Sequence, residues 1–298
     1  MAMLVCFGFG YCAEHFITEF GGKFERVIGT VRRAERAGIL NVYQAGTARA
    51  LVFDGTHATR ELDSTIAAAD YALISIPPDA SGDPVLAACS PALAAARDLR
   101  SVVYLSTVGV YGDHGGGWVD EQTPPAPRSE RSRWRVAAEQ AWQQFGARHG
   151  IAVAVLRLAG IYGPGQNALV ALACGKARRI AKPEQIFNRI HVGDIAQAIE
   201  AAFARRAGGV FNIADDEPSP PADPIVFAAE LMGRAPPAEI PFAQAAPSMS
   251  EMGLSFWQEC RRVCNVKLKR ELGVTLRYPT YREGLRTLFA EINASLDL

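Results

Sequence analysis

Short apolar runs return at intervals through the first half of the chain, at residues 3–7, 26–30, 50–53, 71–76, 102–106 and 151–156. Each is rich in aliphatic residues and nearly continuous, with little polar alternation, which predicts strands buried on both faces as in a parallel sheet. The segments between them are longer and carry a helical pattern. The clearest spans residues 128–149, where Trp134, Ala137, Ala138, Ala141, Trp142 and Phe145 recur at spacings of three and four, and Gly150 stands ready to stop it. Strand and helix in regular alternation predict an α/β fold, a Rossmann-type doubly wound parallel sheet.

Past Gly160 the rhythm breaks at Pro164, Pro183, the prolines between 218 and 224, and Pro236 with Pro237. A smaller C-terminal lobe is expected there. Residues 189–192 and 210–213 are again β-rich, so the lobe is expected to interleave with the core. The predicted division is residues 1–163 for the sheet domain and 164–298 mainly for the second lobe, with segments near 186–215 returning to the first. No internal repeat is visible.

Composition narrows the functional classes. The 298 residues are 49% hydrophobic and 21% charged, which excludes a disordered chain. Thirty-one basic residues balance thirty-one acidic ones, so no net field draws the protein to nucleic acid or anionic lipid, and neither partner is expected. No apolar run approaches the roughly 20 residues of a membrane span. The amino terminus lacks a basic region before its apolar run, and the six cysteines contain no CxxC pair, so a cytoplasmic location is expected. Cys260 and Cys264 are spaced by one helical turn without a His or acidic partner, and packing is expected of them, with no metal.

The candidate chemistry begins at Gly8-Phe9-Gly10-Tyr11-Cys12-Ala13, directly after the first strand. A glycine at the first position permits the tight turn, the second lets backbone approach a pyrophosphate, and Ala13 allows close helix packing. Backbone amides of Gly8 to Cys12 would then bind phosphates at a helix start. The second strand runs into Arg32-Arg33, where an NAD site would usually present a carboxylate to the ribose. Two guanidinium groups favour a 2′-phosphate, so NADP is the expected cofactor and NAD the second option; solvated arginines are the plainer alternative. Asp54 after the third strand could accept from an adenine amino group or simply form a turn before Gly55. Ile76-Pro77 ends the fourth strand where a cofactor would cross the sheet edge.

Further motifs follow in order: Leu105-Ser106-Thr107-Val108-Gly109-Val110-Tyr111-Gly112, Glu121 with Pro124, Arg157 to Gly165 including Gly160-Ile161-Tyr162-Gly163-Pro164, Arg189-Ile190-His191-Val192-Gly193-Asp194, Phe211 to Pro218, and Tyr278 to Leu285. This series resembles the extended branch of the short-chain dehydrogenase/reductase superfamily, the nucleoside-diphosphate-sugar epimerases and dehydratases, and its C-terminal part is similar to an atypical subgroup. The resemblance implies a nicotinamide cofactor near Ser106 and Gly160, a catalytic hydroxyl at Thr107, and a Tyr-x-x-x-Lys pair on the next helix. Aligned on Val136-Ala137-Ala138-Glu139, that register places Arg131 at the tyrosine and Arg135 at the lysine. A guanidinium cannot exchange a proton at neutral pH. Arg135 could still hold the cofactor ribose.

Other acid–base candidates lie at the same sheet edge: Tyr111, Tyr162 and His191, each with packing as its alternative. Arg131, Arg135 and Arg189, together with His191, are candidates to bind an anionic substrate group; the alternative is a basic face of Arg128, Arg131, Arg133 and Arg135 paired with Glu130 and Glu139. Asp113, His114 and Asp120 surround Gly115 to Gly117 in what reads as a mobile loop over the site. The expected function is an NADP-binding oxidoreductase or epimerase/dehydratase acting on a small polar or sugar-derived substrate; the alternative is a non-catalytic redox sensor. A monomer or homodimer is expected, and Pro91 is read as interrupting the segment 85–96 that relatives use to dimerise.

Overall fold

A computed structural model describes residues 2–43 and 48–296. Strand and helix alternate from the start: β1 (Met3–Phe7), α1 (Tyr11–Phe20), β2 (Arg26–Val31), α2 (Ala34–Tyr43), β3 (Arg49–Val52), α3 (Arg60–Ala67), β4 (Tyr71–Ile74), α4 (Pro84–Ala95) and β5 (Ser101–Thr107). A two-residue strand β6 (Trp118–Val119) precedes α5 (Glu130–His149) and β7 (Ala152–Leu158). After β7 the elements are mostly shorter, and one of them, β11 (Gly209–Ile213), joins the central sheet. These are β8 (Gly160–Tyr162), α6 (Ala168–Ala173), β9 (Arg179–Ala181), β10 (Arg189–His191), α7 (Val192–Arg205), β11 and α8 (Asp223–Leu231). There follow β12 (Glu239–Pro241), α9 (Phe242–Ala245), α10 (Glu251–Trp257), β13 (Arg262–Val263), α11 (Val266–Arg270) and α12 (Tyr281–Leu296).

Seven strands form one parallel sheet in the order β11-β7-β5-β4-β1-β2-β3. The order reverses between β1 and β4, which leaves a crevice at their carboxyl ends, the place where ligands bind in open α/β sheets. Both faces are covered. Phe16 of α1 and Ile195, Ile199 and Phe203 of α7 pack on one, and Leu62, Ile66, Leu93 and Trp142 from α3, α4 and α5 pack on the other. Burial on both sides explains the uninterrupted apolar runs. The six predicted strands lie where the pattern put them, with ends shifted by one or two residues, and β11 adds a seventh against β7 with Val210 opposite Val155.

Three expectations are corrected. Pro91 does not break α4, which runs through it from the Asp83 cap; Pro91 and Ala87, whose carbonyl it leaves unbonded, both lie on the exposed side of the helix, where solvent meets the loss. The loop around Gly115 to Gly117 is not free: Cys260 O accepts from His114 N and Gly116 N at 2.9 and 3.0 Å, and β6 pairs with β13. Cys260 and Cys264 are not a helical turn apart, because extended β13 separates them. Among the described residues no helix is long and apolar enough to cross a membrane.

Candidate functional site

The turn after β1 is shaped by its glycines. Gly8 has φ +90°, and a Cβ there would come within 3.0 Å of Ile76 Cγ1 and 3.2 Å of Ile76 N, so only glycine fits between β1 and the end of β4. Thr30 of β2 lashes the turn down: its Oγ1 accepts from Gly8 N at 3.0 Å and its carbonyl from Phe9 N at 2.7 Å. Phe9 is buried against Gly29, where a Cβ would stand 2.2 Å from the Phe9 ring. Gly10 then starts α1 with no side-chain cap, and a Cβ on it would meet nothing within 4 Å. The first amides of α1, those of Tyr11 and Cys12 among them, thus have no side-chain cap, and the space beside Gly10 is open. An uncapped helix start with that clearance fits the diphosphate of a dinucleotide.

Arg32 and Arg33 follow β2 and are both exposed. Arg36, which the sequence pattern did not single out, reaches from α2 to Glu14 Oε1 at 2.6 Å and Phe9 O at 3.4 Å. Asp54 makes the turn that was its alternative: its Oδ1 accepts from Thr56 N at 2.9 Å and Thr56 Oγ1 at 2.6 Å, bonds that hold its carboxyl below the usual range. Ile76 lies against Gly8 and Pro77 follows it.

At the end of β5, Ser106 and Thr107 point to different fates. Ser106 donates to Glu139, which accepts from Arg157 Nη2 at 2.7 Å in a pair 4% and 5% exposed. Glu139 therefore belongs to this buried pair and not to a basic face of α5. The Arg157 guanidinium lies 4.8 Å over the Tyr111 ring, and the Tyr111 hydroxyl donates to Asn212 Oδ1 at 2.7 Å. Burial pushes the Tyr111 phenol up, and the same cause raises Tyr162 further. Tyr162 donates to Thr280 O at 3.4 Å. Both phenols are thus locked in packing.

Thr107 is half-buried, and its Oγ1 accepts from Gly109 N at 3.1 Å. Arg135 reaches down from α5 to Leu105 O at 2.9 Å and Tyr104 OH at 3.1 Å. Arg131, one turn earlier, is exposed, with Nη1 2.7 Å from Met252 Sδ of α10. Arg189 has other partners: Nη1 donates to Ser219 Oγ at 2.7 Å, the guanidinium lies 5.5 Å over Tyr281, and Asp215 and Asp223 face it. The structure joins Arg135 to β5 and Arg131 to α10, and it builds Arg189 into a separate acidic cluster.

His191 caps α7 by accepting from Gly193 N at Nδ1, 3.1 Å away. A neutral ring that accepts at Nδ1 carries its proton on Nε2. That Nε2 is buried and has no partner among the described residues. The ring lies between Tyr162 and Tyr278, with centroids at 5.1 and 3.9 Å, and burial pulls its pKa down to about 4. A Cβ at Gly163 would stand 3.5 Å from this Nε2 and 2.7 Å from the Tyr11 hydroxyl, which donates to Pro164 O at 3.0 Å. The start of α1 and the turn after β8 therefore meet at Gly163. Gly160 is exposed in β8, and its amide donates to Asn188 O. No three His, Cys, Asp or Glu side chains among the described residues gather to hold a metal ion.

Residues 83–214 match the NAD dependent epimerase/dehydratase family. A solved structure of a functionally unknown conserved protein from Silicibacter pomeroyi is similar at 44% identity and TM-score 0.88, covering 98% of this chain and 99% of that one. The dTDP-glucose 4,6-dehydratase of Bacillus anthracis, in complex with NAD, shares the fold at TM-score 0.76 and 17% identity over 100% and 98% of the two chains. Among curated proteins, a 3-diazoavenalumate denitrifying reductase from Streptomyces is 28% identical over 201 residues, which are 64% of this chain and 66% of the relative. The chain thus spans just under two thirds of that relative's length. By this match over residues 83–214 and by this fold, the chain is similar to the NAD dependent epimerase/dehydratase family.

Proposed function

We propose that this chain is an NADP-dependent reductase that transfers hydride to a small polar or sugar-derived carbonyl substrate without a Tyr-x-x-x-Lys pair. The observation that carries the reading is the open start of α1 at Gly10, uncapped by any side chain, with the exposed Arg32 and Arg33 at the end of the neighbouring strand β2. A nicotinamide nucleotide bound there supplies hydride. The amides of α1 hold its diphosphate, the arginines pair with a 2′-phosphate, and Thr107 orients the substrate oxygen.

The arginines at 131 and 135 favour reduction over epimerisation or dehydration. Oxidising a substrate hydroxyl needs a base to remove its proton, which a guanidinium cannot do. Reducing an electrophilic carbonyl leaves an oxygen that takes its proton from water. The name of the Streptomyces relative, a reductase, agrees with this direction.

Calorimetry with NADPH and NADH tests the cofactor. Arg32→Ala is expected to weaken NADPH binding about tenfold or more while leaving NADH nearly unchanged, since a charge-assisted bond to the extra phosphate is worth about 1.5–3 kcal/mol. Equal loss for both nucleotides contradicts the assignment. A panel of carbonyl compounds followed at the nicotinamide absorbance tests turnover. Tight NADPH binding without turnover across the panel gives the redox-sensor reading instead.

A further inference from the structure

We infer that Ser132 is a second hydroxyl of the site, donating beside Thr107 to the oxygen of a substrate carbonyl; the inference rests on the reductase reading above. Both hydroxyls border one recess over Gly109. A Cβ built on Gly109 would stand 3.4 Å from Ser132 Oγ and 3.4 Å from Thr107 Oγ1, with nothing nearer. Ser132 lies on α5 one residue past Arg131, so the helix that brings no phenol to the end of β5 brings a hydroxyl there.

The local hydrogen bonds bear on which way these hydroxyls work. Ser129 caps α5 by accepting from Ser132 N at 3.2 Å, and its own hydroxyl donates to Ser132 Oγ at 2.9 Å. Thr107 Oγ1 accepts from Gly109 N at 3.1 Å. Thr107 Oγ1 thus spends a lone pair on a neighbour and its hydrogen has no acceptor among the described residues; with Ser129 as the donor of the 2.9 Å contact, the Ser132 hydrogen is free as well. Two half-buried O–H donors with free hydrogens on either side of one recess suit a single acceptor oxygen.

The reaction gives that oxygen its need. As hydride from the reduced nicotinamide bonds to the carbonyl carbon, the π pair moves onto oxygen, which carries negative charge until it takes a proton from water. Donors placed where this charge develops lower the barrier. Neither alcohol is acidic enough to act as the proton source at neutral pH, so the pair is an oxyanion clamp and leaves protonation to solvent. Ser129 is a positioning residue that keeps the Ser132 hydrogen directed outward.

The test uses the full chain, saturated with oxidised NADP, and 4-dimethylaminocinnamaldehyde as the probe. The absorption of this aldehyde moves to longer wavelength when its carbonyl oxygen accepts hydrogen bonds, and no turnover is required. The wild type is expected to show the shift, Ser132→Ala to lose most of it and Ser132→Thr to keep it. Gly109→Ala, whose methyl would enter the recess at ordinary contact distance and without positive φ, is expected to lose it as well. Ser132→Ala keeps the backbone bond to Ser129, so melting temperature and nucleotide affinity should stay near wild type. With NADPH, reduction of the same aldehyde should slow by roughly 10²-fold in Ser132→Ala. An unchanged shift in Ser132→Ala, or no shift in wild type that binds NADP, overturns the proposal. Failure to bind any nicotinamide nucleotide instead removes the reductase reading, and this inference with it.

Discussion

Two buried titratable residues after β7 pull stability in opposite directions with pH. His191 has its pKa lowered to about 4 by burial, against 6.5 when free. Its contribution to stability is whole above pH 6.5 and is lost as the pH falls toward 4, because the unfolded chain then binds the proton more readily. Asp215, 2% exposed, is raised to about 8 by burial, with Oδ2 unpartnered among the described residues. Its contribution is whole below about pH 4 and is lost as the pH rises to 8. The two slopes, each at most about 1.4 kcal/mol per pH unit, oppose one another between pH 4 and 6.5. Between 6.5 and 8 only the aspartate acts. Asp215→Asn should therefore hold its urea midpoint from pH 6.5 to 8, where the wild type declines, and should lose stability faster than wild type below 6.5. His191→Asn keeps an oxygen to cap α7 and should decline across the whole range from 4 to 8. Matching pH profiles for both variants and wild type would refute these assignments.

At the scale of elements, the strands and α5 were legible because burial on two faces and a helical stripe leave periodic marks in the sequence. The glycine turn was legible too, since Gly8 and Gly10 stand at fixed spacing after β1. Its support was not. Gly29 in the middle of β2 carries no local signal, yet the Phe9 ring fills the space its missing side chain leaves. Pro91 shows the converse, a strong local signal overridden where the freed carbonyl faces solvent. Gly29→Ala should force Phe9 aside, destabilise the fold by about 1–3 kcal/mol as overpacking does, and weaken NADPH binding through the displaced turn. Adding Phe9→Ala removes the collision. Denaturation of the double variant should then show less loss than the two single losses summed, and strict additivity would mean that the ring and the glycine do not interact.

On the scale of the whole molecule, the sequence leaves no mark of the ties that hold the segments after β7 to the sheet. The loop at Asp113 to Gly117 is pinned by residues near Cys260, and pairing across so long a stretch of chain leaves nothing in the local pattern. Of the proposed site, Thr107 and the glycine turn are marked in the sequence, whereas Ser132 is put forward only once α5 is laid against Gly109. Asp194 is another such tie. Fully buried at the start of α7, it accepts from Arg277 N at 2.7 Å and Tyr278 N at 3.1 Å, binding the segment before α12 to a helix packed on the sheet. Asp194→Asn keeps the shape but turns one acceptor into a donor, so one of those amides loses its partner inside the protein. A cost of about 1–3 kcal/mol is expected, the penalty of a buried unsatisfied group. Because α12 packs on α8 and β10, the loosening should spread to them while the sheet holds. Hydrogen exchange should accelerate at Arg277, Tyr278 and α12 and stay unchanged in β1 and β5; equal acceleration in the central strands would mean that α12 and the sheet unfold as one unit.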